Sequence, residues 1–516
     1  MSSVEHLDVL IIGAGLSGIG AAHHVQADCP WATYAVVEAR DDLGGTWDLF
    51  RYPGIRSDSD MFTFSYPFRP WDRDRSIGAG AEILEYLCDT AAEFGIDRHI
   101  RFGHRIIAAD WSTEDGYWRV TAERTADSDD GSGRTETVEL TCSFVFSCTG
   151  YYRYDRGHVP DFPGMEDFAG TIVHPQHWPQ DLDHDGQRVV VIGSGATAIT
   201  LVPSLADTAA HVTMLQRSPT YIASLPGTNP LTRAVRRLVP RRWQGAALRW
   251  GHALITQTFF KLSRRWPAAV RRVLIEGVRR ELPPDVDVAT HFTPRYDPWD
   301  QRLCVVPDGD LFAAIREGRA SVVTDRIETF TPTGVRLESG DELEADIIVP
   351  ATGLEMLFLG GIELCVDGEP VDPAGRLTYK GLMLEGVPNM AMAVGYTNAS
   401  WTLKSDLTSD YVARLLNHMR RTGAAKCVPV NRDASMASVP LFGLSSGYIT
   451  RAQERFPRQG SRFPWQMHQD YVADYRVMRR GGVTDDGALV LSGAPKTIRS
   501  AAARRSAEQT QEVRSA

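Results

Sequence analysis

Two glycine-rich turns, GAGLSG at Gly13–Gly18 and GSGATA at Gly193–Ala198, have the spacing that leaves backbone N–H groups free to meet phosphate. In the first, Gly13 allows the tight turn and Gly15 lets the backbone approach a pyrophosphate. Gly18 lets a helix pack closely on a strand. The apolar run DVLII leads into this turn, a helix follows through Gly20–Ala22, and YAVVE ends at Glu38, twenty residues beyond Gly18. An acid at that place accepts hydrogen bonds from a ribose diol. The second turn, Gly193, Ser194, Gly195, Ala196, Thr197 and Ala198, follows RVVVI, and its next strand, HVTMLQR, ends in Gln216 and Arg217 with no acid. An arginine there pairs with a ribose 2′-phosphate, which an acid would repel. The alternative for Arg217 is a solvated charge at a strand end.

Between and after the turns lie further residues able to do chemistry. GGTWDLFRYPGIRSDSDMF (44–62) combines Gly44 and Gly45, which let backbone approach a flat ring, with the broad apolar face of Trp47. Asp58 in this run reads by itself as a turn or N-cap residue. FAGTIVHPQHWP (168–179) sets Phe168, Gly170, His174, Trp178 and Pro179 at fixed spacings between the two turns. Arg302, in YDPWDQRL, stands just ahead of another apolar strand.

The elements that must position these residues fit an α/β chain of two dinucleotide-binding units. At 516 residues the chain is too long for one core. A hydrophobic content of 43% and a charged content of 23% describe an ordinary globular protein. The net charge of −10 argues against nucleic acid as a partner. Seven scattered cysteines with no C-x-x-C suggest neither a metal site nor a disulfide framework, and reduced thiols fit a cytoplasmic setting. The first strand begins almost at once, leaving no room for a signal peptide, and no apolar run is long enough to span a bilayer. FVFSCTG and IIVPATG, ending at Gly150 and Gly353, read as the places where the chain leaves and re-enters the first unit. From about 229 to 282 arginine pairs accumulate with few acids, which reads as inserted helices with a solvated basic face or a face for an anionic membrane surface.

With these motifs in view, the sequence resembles the Baeyer–Villiger monooxygenases, class B flavoproteins, and within them the ethionamide-activating subgroup. The resemblance rests on GGTWDLFRYPGIRSDSDM, HPQHWP, GSGATA, LQRSPTYI, YDPWDQRL and GYTNASWTLK, and runs nearly end to end. It implies two Rossmann-like domains, for FAD and NADPH: residues 1–150 and 341–500 for the flavin, and 151–340 for NADPH with a helical insertion at about 229–290. Residues 501–516 are expected to be a disordered tail. The implied reaction reduces FAD with NADPH, adds O2 at flavin C4a, and converts ketones to esters or lactones, with oxidation of sulfides or thioamides alongside. An S- or N-oxygenase with little ketone activity is the alternative.

The resemblance makes Arg302 the active-site arginine and Asp58 the acid that hydrogen-bonds and orients it. To Gly13, Gly15, Gly18, Glu38, Gly45, Trp47 and Asp58 it adds Ser17, Thr46, Arg56, Ser57 and Ile106 on the flavin side. On the NADPH side it implies the second turn with Gln216 and Arg217, and no metal. GYTNASWTLKSD should lie against the flavin, with a helix beginning near Leu403. Gln301 stands where relatives often carry a lysine that assists the 2′-phosphate, so preference for NADPH rests largely on Arg217.

Overall fold

The computed structural model describes residues 4–126 and 134–493. The polar run DSDDGSG (127–133) and the 501–516 tail lie outside the described residues.

A nine-stranded sheet organises the first unit. At its centre the strand His6–Ile12 pairs in parallel with Tyr34–Val37 on one side and with Arg134–Ser147 on the other. Ile100–Arg101 extends the parallel set beyond Tyr34–Val37, and Met390–Met392, from far along the chain, adds to Arg134–Ser147. The other flank is an antiparallel meander of Tyr117–Ala126 and His104–Ser112. Apolar side chains on both faces explain the unbroken hydrophobic runs. Val9, Ile11, Val36, Phe144 and Phe146 enter one core, while Leu10, Ile12, Val37 and Val145 enter another.

The second unit repeats this plan on a five-stranded parallel sheet. Its order is Ala320–Thr324, His211–Gln216, Arg188–Ile192, Ile347–Pro350 and Thr171–Ile172. Val189, Val191 and Val349 face one core and Val190, Ile192 and Ile348 the other. Ile347–Pro350 is a central strand here, and Glu342–Glu344 pairs beside it in a small antiparallel sheet. The return to the first sheet therefore follows Gly353 rather than falling at 341, because backbone pairing holds the preceding strand in the second unit.

Three helices, Pro230–Leu238, Arg241–Arg265 and Pro267–Glu281, fill the arginine-rich segment. They do not belong to the second unit alone. Leu248 and Ala253 are buried in the core of the first sheet, and the buried Arg249 donates to the carbonyls of Thr63 (3.2 Å) and Ser65 (2.6 Å).

Of the three glycine positions in the turn, the two strand–turn–helix units differ at the third. A Cβ at Gly18 would stand 1.8 Å from the Gly13 carbonyl oxygen, so helix Leu16–Asp28 sits as close to its strand as backbone allows. The second unit carries Ala198 there, fully buried. At Gly15 a Cβ would meet Gly45 Cα at 3.6 Å and Gly44 O and Gly45 N at 3.9 Å, all ordinary contacts. Gly18→Ala should therefore destabilise the flavin-free protein by about 1–3 kcal/mol through overpacking, whereas Gly15→Ala should melt like the parent. Thermal unfolding of the two variants checks this, and equal melting would contradict the close-packing argument.

Candidate active site

A cavity of about 670 Å³ opens between the two units and collects most of the residues singled out above. Gly13, Gly15, Ser17, Glu38, Gly45, Thr46, Trp47, Arg56, Ser57, Asp58, Ile106, Ala196, Thr197 and Arg302 all line it. Gly18, Gly193, Ser194, Gly195, Ala198, Gln216 and Arg217 do not.

The first turn builds a cradle from bare backbone. Gly13, at φ +103°, donates its N–H to Val37 O (2.7 Å), and Gly44 donates to Ala14 O (3.0 Å). Gly15 and Gly45 then face each other so closely that a Cβ on Gly45 would lie 3.1 Å from Gly15 Cα. The helix behind starts at Leu16 with no side-chain cap, leaving its first N–H groups for a ligand. Glu38 is buried, and its carboxylate accepts from the N–H groups of Ala14 (2.7 Å) and Arg40 (3.0 Å). Burial pushes its pKa up, partly opposed by those two donors. A carboxylate has room for further donors, so the residues fit a ribose and pyrophosphate against this backbone.

The loop that follows carries an apolar wall and an acid. Trp47, in the short helix Thr46–Leu49, meets Phe64 edge-on at 5.5 Å, and Thr46 Oγ1 lies 3.3 Å from the Tyr154 hydroxyl. Ser57 spends its hydroxyl on Ser59 O (2.8 Å). Arg56 forms an ion pair with Asp310, from the second unit. Its charge is therefore committed to joining the units, a role that spacing alone does not reveal.

Arg302 enters from the opposite side. It precedes the strand Cys304–Pro307 and follows a loop in which Trp299 adopts φ +73°. Helix Arg241–Arg265 steadies that loop: Arg264 pairs with Asp300 (2.7 Å) and Phe260 meets the Trp299 ring at 5.5 Å. Arg302 is partly accessible only because it faces the cavity. Burial works against its charge, but Asp58 and the tyrosines Tyr151, Tyr448 and Tyr152 outweigh it and hold its pKa above the ordinary arginine value.

The hydrogen bond expected between Asp58 and Arg302 is not formed; among the described residues Arg302 has no ion pair within 4.0 Å. The two groups face the same open cavity and interact through the field across it. That leaves the guanidinium fork free for a third group.

At the second turn, Gly195 precedes helix Ala196–Leu205, and a Cβ there would meet nothing within 4 Å. Ser194 Oγ donates to Ser218 O (2.9 Å). Gln216 differs from expectation. Val212, Met214 and Gln216 alternate toward the core, and the Gln216 amide nitrogen is spent on His291 O (2.7 Å) and Thr324 Oγ1 (2.9 Å). Arg217, one residue on, points outward and is exposed.

The stretch 168–179 does not line the cavity; it clamps the chain where it crosses between units. Thr171–Ile172 joins the edge of the second sheet, and His174 Nδ1 accepts from the N–H of Gln176 (3.1 Å). Gln176, fully buried, donates to the carbonyls of Arg153 (2.8 Å) and Tyr154 (2.9 Å). Burial, with help from His177, lowers the pKa of His174, which favours the neutral ring this contact needs.

Sequence reasoning missed Tyr151, Tyr152 and Tyr154, which line the cavity directly after the strand exit at Gly150. The tyrosine-rich run GYYRYD was the available signal. Trp401 also lines the cavity. It opens helix Trp401–Thr422, two residues before the expected start, and its indole N–H donates to Ser17 Oγ (2.9 Å).

A sequence model of the flavin-binding monooxygenase-like family matches residues 7–230. FAD-containing monooxygenase EthA of Mycobacterium tuberculosis (strain ATCC 25618 / H37Rv) is 51% identical over 484 residues, covering 94% of this chain and 97% of EthA. The chain belongs to the flavin-binding monooxygenase-like family. Solved structures related to this family member share the fold at low identity. The open crystal structure of cyclohexanone monooxygenase has a TM-score of 0.74 at 21% identity, covering 95% of this chain and 100% of that one. Oxidized steroid monooxygenase bound to NADP has a TM-score of 0.73 at 22% identity, with the same coverage.

The expectation that Glu38 holds a flavin ribose carries a pH dependence with it. Ribose hydroxyls would donate to the charged carboxylate, whose folded-state pKa is raised by burial, so this acceptor is lost as pH falls through that raised value. Flavin retention should thus weaken on acidification sooner than an unperturbed glutamate would allow, and Glu38→Gln should flatten the profile while weakening retention throughout. Fluorescence of released flavin across a pH series measures both; an unchanged profile in the variant would remove Glu38 from the site.

Proposed function

We propose that the chain is an NADPH- and O2-dependent Baeyer–Villiger monooxygenase that converts ketones to esters or lactones and also oxidises sulfides or thioamides. FAD belongs along Gly13–Gly18, Glu38 and the 44–58 loop. NADPH belongs along the second turn, with Arg217 on its 2′-phosphate. The first sheet, with the chain after Gly353, forms the flavin half, and the five-stranded sheet the NADPH half. When bound, the two cofactors would deliver hydride and activate O2 at the cavity, one oxygen atom passing to the substrate and the other leaving as water.

The observation that carries this reading is Arg302, a charged guanidinium without an ion-pair partner in the cavity lined by the first glycine turn and by Ala196 and Thr197 of the second. As a ketone is attacked, its oxygen gains negative charge, and the free fork of Arg302 is already oriented to receive it. A preorganised donor of this kind contributes about 3–4 kcal/mol, on the order of a thousandfold in rate. Asp58, across the cavity, favours the guanidinium's charge through the field without occupying its donors. Trp47, Tyr151 and Trp401 give the same space an aromatic wall. Sulfur gains no oxyanion during oxygenation, so sulfide oxidation makes less demand on Arg302.

Arg302→Ala should retain flavin but lose ester formation by about a thousandfold, with a much smaller loss on sulfides. Product analysis by mass spectrometry on both substrate classes tests this, and undiminished ester formation would defeat the assignment. Arg217→Ala should raise the KM for NADPH about tenfold, the worth of one charged hydrogen bond, while leaving that for NADH little changed. Steady-state kinetics with each coenzyme would expose the assignment as wrong if both moved alike.

A further inference from the structure

The helices between 229 and 282 carry thirteen Lys or Arg against two acids, a surplus of eleven positive charges in a chain whose total is −10. Some of these are engaged: Arg236 pairs with Asp74, Arg264 with Asp300, and Arg279 and Arg280 with Glu276. Exposed Arg233, Arg237, Arg241, Arg242, Arg265 and Arg272 form no ion pair among the described residues. The same helices hold most of the bare apolar surface. Seven of the twelve exposed large hydrophobics among the described residues fall between Leu238 and Val273. Leu238 is 77% exposed, Val273 71%, Trp243 58% and Trp266 55%.

The arrangement on the longest helix is one-sided. At about 100° per residue, Trp243, Leu254, Ile255 and Leu262 fall in one sector of roughly a third of the circumference, with Arg265 among them. Leu248, Arg249, His252, Ala253 and Ser263 occupy the buried side. Arg242 lies over the Trp243 ring (5.7 Å) and Arg265 over Trp266 (5.8 Å), so each exposed indole carries a cation beside it. Among the described residues no helix is long and apolar enough to cross a membrane.

We propose that this face docks on the surface of an anionic lipid bilayer, with Trp243 and Trp266 entering the interface and the free arginines meeting lipid phosphates. Nucleic acid would match the charge but leaves exposed Leu238, Ile255 and Val273 without a partner. A second copy joined through this same face, as a two-fold pair requires, would set arginine against arginine, which a lipid surface does not.

The test is flotation of the flavin-loaded full chain with vesicles of phosphatidylcholine, alone or mixed with phosphatidylglycerol. Binding is expected on the mixed vesicles only, falling as salt is raised. Trp243→Ser with Trp266→Ser should weaken partition about tenfold or more. Arg241, Arg242, Arg265 and Arg272 changed to Gln should weaken it about fivefold per charge. Flavin content and turnover of a water-soluble substrate should match the parent in both, showing that the fold is intact. Wild-type protein that ignores phosphatidylglycerol vesicles overturns the proposal whatever the variants do. So does binding that survives both sets of substitutions, or a tryptophan variant whose sole change, in analytical sedimentation, is loss of self-association.

Discussion

A cation that cannot neutralise itself is held between two sheets, and the architecture is arranged around that fact. Arg302 faces a cavity walled by aromatic rings, where an isolated charge is expensive. A direct ion pair would offset the cost, yet it would also occupy the donors. Asp58 instead acts on it through the field across that space, with no ion pair formed between the two. The remaining structure keeps these two groups, carried by different parts of the chain, from collapsing onto each other.

That separation is maintained by packing against both units. The Arg302 loop is braced by the long helix through Arg264–Asp300 and by Phe260 against Trp299. The same helix is anchored to the first unit by Arg249, whose buried guanidinium satisfies two carbonyls at the end of helix Met61–Phe64. A single element thus references the arginine to the segment that carries the acid. The clamp at 168–179 does comparable work on the crossing chain through the Gln176 amide.

Much of this was legible in the sequence wherever local pattern determines structure. The strand–turn–helix units announce themselves because glycine spacing and apolar strands are short-range features. The cavity likewise gathers Glu38, Trp47, Asp58 and Arg302 from motif positions alone. What escaped reading depends on partners distant in the chain. Gln216 looks like a ligand at a strand end, but its inward register meets His291 and Thr324, and only the fold brings those near. Arg56 looks like a cofactor contact until Asp310 arrives beside it. The strand at 347–350 reads equally well in either sheet, and its pairing with Arg188–Ile192 decides the matter.

The loop Tyr52–Asp58 grows from the first unit, yet Arg56 is pinned to Asp310, and a Cβ at Gly54 would stand 1.9 Å from Ser204 Oγ. Its backbone is thus inlaid in the opposite half. A chimera cut at the sheet boundary would separate this loop from the surface moulded to it, even if both donors folded well. The smallest exchangeable module is therefore the five-stranded half together with this borrowed loop, and recombination among relatives would have to respect that seam.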